Sequence, residues 1–255
     1  MANATDQHLL STTSWDDGDP SDLRLAEMLT LHGLRGTFYL CRDRERHPRL
    51  TDAEIRELAA VPEVEIGSHT LTHPDLRQLS TRQVDAELRG SKAWLEDLIS
   101  KPVTSFCYPN GSHRRSLARH LAAAGYSIGG TTRSGHTDLP VDPFFMPTTM
   151  QVYPHKKVTQ LRHSLKECDL RGLRNLAAVR SWSRRPAELA HGFVNQVQDT
   201  TCEPAAIHIW GHSWELNEAG LWPALKELLK YLRDIGSLPK TNRELAQFSA
   251  TQRKA

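Results

Sequence analysis

Apolar segments alternate with amphipathic segments along most of the chain. Short runs rich in β-branched or aromatic residues predict strands at 9–15, 36–40, 63–68, 103–108, 126–132, 144–150 and 205–210. Apolar positions three or four residues apart predict helices at 21–33, 52–60, 80–99, 112–124, 156–166, 186–198, 220–235 and 241–249. This alternation predicts an α/β fold with a parallel sheet and outer helices, and the number of units favours a barrel. Since there is no internal repeat or low-complexity linker, we expect a single domain over 1–255.

Composition narrows the class of protein. The net charge of +2 gives no whole-chain attraction to nucleic acid or membranes, and no apolar run is long enough to span a bilayer. The first residues lack the pattern of a secretion signal. Four widely spaced cysteines form no CxxC pair, which is typical of reduced thiols. We therefore expect a cytoplasmic protein. The cysteines are Cys41, Cys107, Cys168 and Cys202.

Positive charge is concentrated between residues 156 and 185. This basic stretch holds nine Lys or Arg but only Glu167 and Asp169 as acids. Such a run is usually a solvated helical face. The alternative is that some of its arginines face the open end of the barrel and attract an anionic substrate. The candidates for that role are Arg162, Arg171, Arg174 and Arg180.

Two acids follow the first predicted strand. Asp16 and Asp17 precede Gly18, which allows the chain to bend so that both carboxylates reach one cavity. One carboxylate could bind a metal while the other accepts a proton. The alternative is that both cap the following helix.

Two histidines follow the third predicted strand. His69 and His73 are four residues apart, a spacing that places two imidazoles on one side of a helical turn. With Asp17 they would form a set of three ligands, which leaves a position open and is typical of a catalytic metal. The imidazoles favour zinc, although cobalt, nickel, manganese or iron could also bind. The alternative is that both histidines pack within a turn, with hydrogen bonds to Thr70 and Thr72.

A third histidine, His212, follows the strand at 205–210 and could donate a proton to a leaving amine. His208 lies inside that strand and is interpreted as a core histidine. Trp15, Trp210 and Trp214 flank these positions, where they could line a pocket for a sugar ring or simply pack in the core.

A tight turn follows the strand at 103–108. Its sequence is Tyr108-Pro109-Asn110-Gly111, and a backbone N–H exposed there could stabilise an oxyanion. Taken alone, Pro-Asn-Gly indicates only a turn.

Together these segments resemble the polysaccharide deacetylase family, the NodB-homology enzymes of carbohydrate esterase family 4. Trp15-Asp16-Asp17-Gly18 resembles its first motif, His69-Thr70-Leu71-Thr72-His73 matches its second, Tyr108-Pro109-Asn110-Gly111 lies where its third belongs, and His212 resembles the histidine of its last. The similarity extends from about residue 10 to about residue 216.

The resemblance implies a distorted (β/α) barrel of about seven strands and metal-dependent amide hydrolysis. By matched position, Asp16 would be the base, His212 the acid, and Asp17, His69 and His73 the metal ligands. The backbone N–H of Asn110 would bind the oxyanion. The expected substrate contacts are Trp15, Tyr108, Pro109 and Trp210.

The chain departs from the family pattern in two places. In the third motif, Cys107 replaces an arginine that orients the base, and Asn110 replaces a tyrosine. The fourth motif, of Asp-x-x-Asp-Trp type, is absent, although Asp138, Asp142 and Phe144 lie in that region. These departures weaken the inference of a polymeric N-acetylglucosamine substrate.

The sequence therefore predicts a hydrolase with one divalent metal ion that removes an acyl group, acetyl first, from an amide nitrogen. The substrate would be a small-molecule or oligosaccharide amide, such as an amino-sugar conjugate, with or without an anionic group. The alternatives are hydrolysis of an N-formyl group or a cyclic amide, and a catalytically weak sugar-binding homologue.

Overall fold

A single parallel sheet organises the computed structural model, which describes residues 9–43, 48–153, 169–179, 185–200 and 204–254. In these residues the strands are β1 (Leu9–Asp17), β2 (Gly36–Leu40), β3 (Val64–Ser68), β4 (Ser105–Cys107), β5 (Ile128–Gly130), β6 (Met150–Gln151), β7 (Ala205–Gly211) and β8 (Leu238–Pro239). The helices are α1 (Asp22–Leu31), α2 (Asp52–Ala60), α3 (Thr81–Ile99), α4 (Leu117–Ala123), α5 (Leu170–Ala178), α6 (Pro186–Thr200), α7 (Ser213–Glu218), α8 (Trp222–Asp234) and α9 (Asn242–Gln252).

Seven strands run parallel in the order β5-β4-β3-β2-β1-β7-β6, and β8 pairs with β1 beside this path. The seven strands form a curled half-barrel with helices, which confirms the predicted distorted (β/α) barrel. A bridge between Gly130 and Met146 joins the β5 edge to the segment that leads into β6.

Burial explains why the central strands form. All nine residues of β1 and all five of β2 are buried, as expected for parallel strands covered on both faces. Trp15, Phe38 and Phe106 are fully buried in the main apolar core. Polar side chains on these strands find partners: Thr37 donates to Glu65 at 2.9 Å, and Ser105 also hydrogen-bonds to Glu65.

Most predicted elements agree with the structure to within a few residues, but several predictions were wrong. Most of the expected strand at 144–150 is irregular, because a 3-10 turn occupies Pro143–Phe145, Met146 forms a single bridge, and the strand itself is only Met150–Gln151. The helix expected at 112–124 begins only at Leu117. Helices α5 and α7 and strand β8 were not predicted. The helix expected at 156–166 lies outside the described residues.

The carboxyl ends of four strands meet at one edge of the barrel. β1 ends at Asp17, β3 leads into His69, β4 ends at Cys107 and β7 leads into His212. This is the edge where α/β barrels carry their chemistry. Among the helices of the described ranges, none has the length and apolarity to cross a bilayer.

Candidate active site

Asp17, His69 and His73 converge at this edge, as the sequence predicts. One ligand atom from each lies within 4.8 Å of the others. Asp17 Oδ1 is 3.6 Å from His73 Nε2 and 3.8 Å from His69 Nε2. These separations are too long for direct hydrogen bonds. The three side chains therefore point toward a common space.

The geometry of this triad fits a divalent ion. Two ligands placed about 2.0–2.2 Å from a tetrahedral ion lie roughly 3.3–3.6 Å apart, close to the separations observed. His69 Nδ1 is 2.9 Å from the carbonyl oxygen of Cys107 and donates to it, since a carbonyl can only accept. That bond leaves the lone pair of His69 on Nε2, the atom that faces Asp17. Asp17 Oδ1, His69 Nε2 and His73 Nε2 are thus the atoms that would hold the metal.

Two of these three residues, Asp17 and His73, have a positive φ, which sets the direction of their side chains. Asp17 has φ 87° and the following Gly18 has φ 80°, so the chain turns at the end of β1 itself. His73 has φ 56° and Thr70 has φ 70°. Since these values belong to the left-handed region, residues 69–73 form no helical turn, and the expectation of one was wrong. The imidazoles meet instead across an irregular turn, with ring centroids 4.8 Å apart.

The turn that carries both histidines is held from outside. Glu87 on α3 accepts from the backbone N–H of Leu71 at 2.8 Å and of Thr72 at 3.1 Å. Within the turn, the backbone N–H of His73 donates to Thr70 Oγ1 at 3.0 Å. These bonds offset the cost of the left-handed residues, about 1–2 kcal/mol each, and so preorganise the ligands.

Asp16 lies beside the triad but has a different neighbour. It is buried, and its ligand oxygen belongs to a second compact group with His69 and Cys107. The Cys107 thiol donates to Asp16 Oδ2 across 3.5 Å. Burial raises the pKa of the Cys107 thiol well above its usual range, and the negative charge of Asp16 raises it further. A neutral thiol therefore takes the place where the resemblance led us to expect an arginine.

His212 approaches the triad from β7. Its Nε2 atom is 3.5 Å from Asp17 Oδ2, while Nδ1 is 2.8 Å from Glu215 Oε2. The ring of Trp214 flanks the imidazole at 5.1 Å between centroids. The indole Nε1 of Trp214 donates to Asp17 Oδ2 at 3.0 Å.

Sequence reasoning missed two functional contacts of this segment. Glu215 was not a candidate, although a residue three positions after His212 lies on the same side of a helix that starts between them. Trp214 was considered only as a flanking ring, and its bond to a metal ligand was not predicted. Helix α7 is fixed nearby, because Ser213 Oγ donates to the buried Asp22 at 2.6 Å.

The expected substrate contacts divide into two groups. Trp15 and Tyr108 are fully buried, so the prediction that they touch substrate was wrong. Trp15 donates from Nε1 to Thr13 Oγ1 at 2.9 Å, and Tyr108 packs on Phe106. Trp15 belongs to the core because it alternates with Asp16 on β1, and the side of the sheet that faces the helices is apolar.

The remaining three positions are Pro109, Asn110 and Trp210. Pro109 is buried in the turn, where it offers little surface, whereas Asn110 is exposed in a left-handed conformation with φ 56° and ψ 18°. Trp210 is half-buried, with its ring 5.6 Å from that of His212. Trp210 therefore lies beside His212, whereas Asn110 presents its surface to solvent.

His208 is a satisfied core histidine, which confirms its interpretation. Its Nδ1 atom donates to the carbonyl oxygen of Pro147 at 2.9 Å, so Nε2 accepts from Ser14 Oγ at 2.9 Å. Burial lowers the pKa of His208 to about 4, partly opposed by the bond to Pro147. His208 therefore remains neutral inside the barrel.

The basic stretch does not bring Arg171 or Arg174 to the site. Arg171 pairs with Asp138 at 2.8 Å, and Asp138 bridges to Ala205, the first residue of β7. Arg174 lines a cavity with Arg171 and Ala205. His212 follows the other end of β7, seven residues or about 20 Å away. Arg171 and Arg174 thus lie at the opposite end of the barrel, which corrects their predicted position; Arg162 and Arg180 lie outside the described residues.

Comparison with known proteins identifies the family. The family model for polysaccharide deacetylases matches residues 3–129, a range that contains Asp16, Asp17, both histidines of the triad and the turn at Asn110. This chain belongs to the polysaccharide deacetylase family. YxkH of Bacillus subtilis (strain 168), provisionally named a polysaccharide deacetylase, is 27% identical to this family member over 124 residues. That alignment covers 48% of the chain and 44% of YxkH, so the match spans less than half of its relative.

Solved structures share the fold of this polysaccharide deacetylase family member. The chitin deacetylase of Colletotrichum lindemuthianum has a TM-score of 0.59 at 18% identity, with 92% of this chain and 86% of that chain covered. A pseudoenzyme of carbohydrate esterase family 4 from Bacillus anthracis has a TM-score of 0.57 at 15% identity, with 93% and 65% covered. Because an enzyme and a pseudoenzyme both share this fold, activity must be argued from the site residues.

Proposed function

We propose that this protein is a metal-dependent hydrolase that removes an acyl group, acetyl first, from an amide nitrogen of an amino sugar or an amino-sugar conjugate. One observation carries the proposal. The three ligand atoms of Asp17, His69 and His73 converge, while Asp16 and His212 lie against the same group from β1 and β7. A ligand triad with a carboxylate and an imidazole beside it is suited to hydrolysis with acid and base assistance.

A divalent ion held by this triad, with zinc favoured by its two imidazoles, would polarise the amide carbonyl as a Lewis acid. Asp16 accepts a proton from the attacking water. His212 Nε2 then gives a proton to the amine nitrogen as the carbon–nitrogen bond breaks. The exposed turn at Asn110 supports a role for its backbone N–H in stabilising the oxyanion.

Membership of the family supports a carbohydrate amide as substrate, and the half-buried Trp210 is suited to packing against a sugar ring. An anionic substrate group receives no support from Arg171 and Arg174, which lie at the far end of the barrel. Location in the cytoplasm stays a prediction that cell fractionation would test.

The test is acetate release from N-acetylglucosamine and its short β-linked oligomers by purified protein. We expect release with zinc or cobalt present, loss after chelation, and recovery when the metal is returned. His73→Ala should lose both bound metal and activity, whereas His191→Ala on the exposed face of α6 should keep both. If metal-loaded protein hydrolyses no acetylated, formylated or cyclic amide, the proposed activity is wrong.

A catalytically weak sugar-binding protein is the second candidate, and the neighbour of Asp16 is the observation that favours it. A thiol at 3.5 Å orients a carboxylate less firmly than the two parallel bonds of a guanidinium. That candidate predicts binding of the same oligomers by calorimetry without acetate release. Cys107→Arg would then be expected to raise turnover if the missing guanidinium limits activity.

A further inference from the structure

The short segment His212-Ser213-Trp214-Glu215 contains a carboxylate that the proposed reaction has not yet used. Glu215 Oε2 is 2.8 Å from His212 Nδ1, and the pair is three residues apart across the start of α7. Both side chains are largely buried, with 12% of Glu215 and 18% of His212 exposed. Little water competes for this contact, so the bond is stronger than an exposed one.

A second element fixes Glu215 from the other side. Gln151, the last residue of β6, donates from its side-chain amide to Glu215 Oε2 at 3.1 Å. The carboxylate is thus held between β6 and α7, and its oxygen is presented to the imidazole in a defined direction. A glutamate that served only to cap or solubilise α7 would not need this support from a strand.

The bond decides which nitrogen of His212 faces the reaction. A carboxylate can only accept, so Nδ1 carries a hydrogen and Nε2 becomes the nitrogen that exchanges protons with the substrate. Nε2 is the atom turned toward the triad, 3.5 Å from Asp17 Oδ2. Loss of the acceptor would free the ring to rotate or to move its hydrogen to Nε2, and either change misdirects the proton donor.

We propose that Glu215 is the positioning residue of His212: it keeps the hydrogen of the neutral imidazole on Nδ1, so that the second proton, which makes His212 an acid, is held on Nε2 and points at the leaving nitrogen of the substrate. This inference rests on the proposed function. In the step that Glu215 assists, the carbon–nitrogen bond breaks, its electron pair moves to nitrogen, and the proton of His212 Nε2 forms the new N–H bond. His212 is left neutral, with its remaining hydrogen on Nδ1 and shared with Glu215.

Comparing two leaving groups distinguishes a loss of proton donation by His212 from a general loss of active-site structure. An amide leaves as an amine and needs a proton, whereas an aryl acetate such as 4-nitrophenyl acetate leaves as a stable phenolate. Glu215→Ala should lower kcat for an N-acetyl amino sugar by about 10²-fold or more, as expected when general acid catalysis is lost. Hydrolysis of the aryl acetate and bound metal should stay near wild type. Glu218→Ala removes an exposed acid from the same helix and serves as the matched control.

Glu215→Gln adds a finer distinction. Its amide oxygen can still accept from Nδ1, so orientation survives, and it should retain more amide hydrolysis than Glu215→Ala. Equal losses on amide and ester substrates in a folded, metal-loaded Glu215→Ala protein would overturn the proposal. So would an unchanged amide rate.

A nuclear magnetic resonance measurement tests the positioning role without turnover. In zinc-loaded protein with ¹⁵N-labelled histidine, the ring signals of His212, assigned by comparison with His212→Gln, should show the tautomer with hydrogen on Nδ1. Glu215→Ala should shift them toward the other tautomer or broaden them. If wild-type His212 carries its hydrogen on Nε2, the inference fails whatever the substrate. If the tautomer is as expected but no amide is hydrolysed, only the proposed function fails.

Discussion

The indole of Trp214 donates a hydrogen bond to Asp17 Oδ2 at 3.0 Å. The other oxygen of the same carboxylate, Oδ1, is the one near His69 and His73. The two oxygens therefore have different contacts: Oδ2 accepts a hydrogen bond from the indole, and Oδ1 faces the two histidines, where a metal would bind. A donor of this kind fixes the orientation of a ligand and so affects how tightly the ion is bound.

Trp214→Phe should weaken metal binding by about 10–100-fold, the usual effect of removing a hydrogen bond to a ligand. Phenylalanine keeps an aromatic ring beside His212 and removes the N–H donor. Competition with a chromophoric chelator measures the dissociation constant. Trp210→Phe is the matched control. Its ring also lies beside His212, but within the described part of the chain the indole that bonds to Asp17 is that of Trp214. Unchanged affinity in Trp214→Phe would show that the indole does not support the ligand.

Asp16→Asn should keep its metal but lose turnover by about 10²–10⁴-fold, the usual contribution of a general base. Asparagine preserves the shape of the side chain and cannot take the proton of water. Metal content and kcat are measured on the same preparation. Asp97→Asn, on the exposed face of α3, controls for loss of one negative charge. A near-normal kcat in Asp16→Asn would assign the base to another group.

Substitutions at Asn110 separate its backbone from its side chain. Glycine accepts the left-handed conformation with φ 56° and keeps the N–H, so Asn110→Gly should retain activity. Asn110→Ala keeps the N–H too but should lower stability by about 1 kcal/mol, because alanine adopts the left-handed conformation less readily than asparagine. Both are assayed by kcat and thermal unfolding. A folded Asn110→Gly protein that loses activity by about 10²-fold would assign the role to the amide side chain.

Protonation of His208 should make stability depend on pH. Its pKa is about 4 in the folded protein, below the value of 6.5 for an unperturbed histidine. Between these values the unfolded chain binds a proton that the folded protein does not, so the free energy of unfolding falls as pH drops from 6.5 toward 4. The full contribution is about 3 kcal/mol. Urea unfolding across this range should show a steeper fall for wild type than for His208→Gln. Parallel curves would contradict the assignment.

The sequence predicts the central strands well for a physical reason. β1, β2 and β3 are buried on both faces, so each appears as a nearly continuous apolar or small-residue run with a polar end. β6 and β8 contain two residues each and leave no such pattern. Their pairing depends on neighbours that are distant in the chain.

In the candidate site, too, features with a local sequence pattern could be predicted and features that depend on distant residues could not. The ligand triad could be predicted because its members end strands that a parallel sheet aligns at one edge. The bond between Trp214 and Asp17 joins residues 197 positions apart and has no local signal. The burial of Trp15 could have been predicted, since it alternates with Asp16 on β1 and faces the helices. Its position directly before Asp16 and Asp17 favours a place in the site, but alternation along the strand is the stronger constraint.

The left-handed backbone at Asp17 and His73 also limits how this candidate metal centre could be redesigned. Aspartate, asparagine and histidine tolerate that conformation better than other non-glycine residues. Replacing either ligand with glutamate or cysteine would change the donor atom and strain the chain at once. His69 has an ordinary negative φ and carries no such restriction. Exchanging a ligand to change the metal preference, by mutagenesis or in evolution, would therefore cause the least backbone strain at position 69.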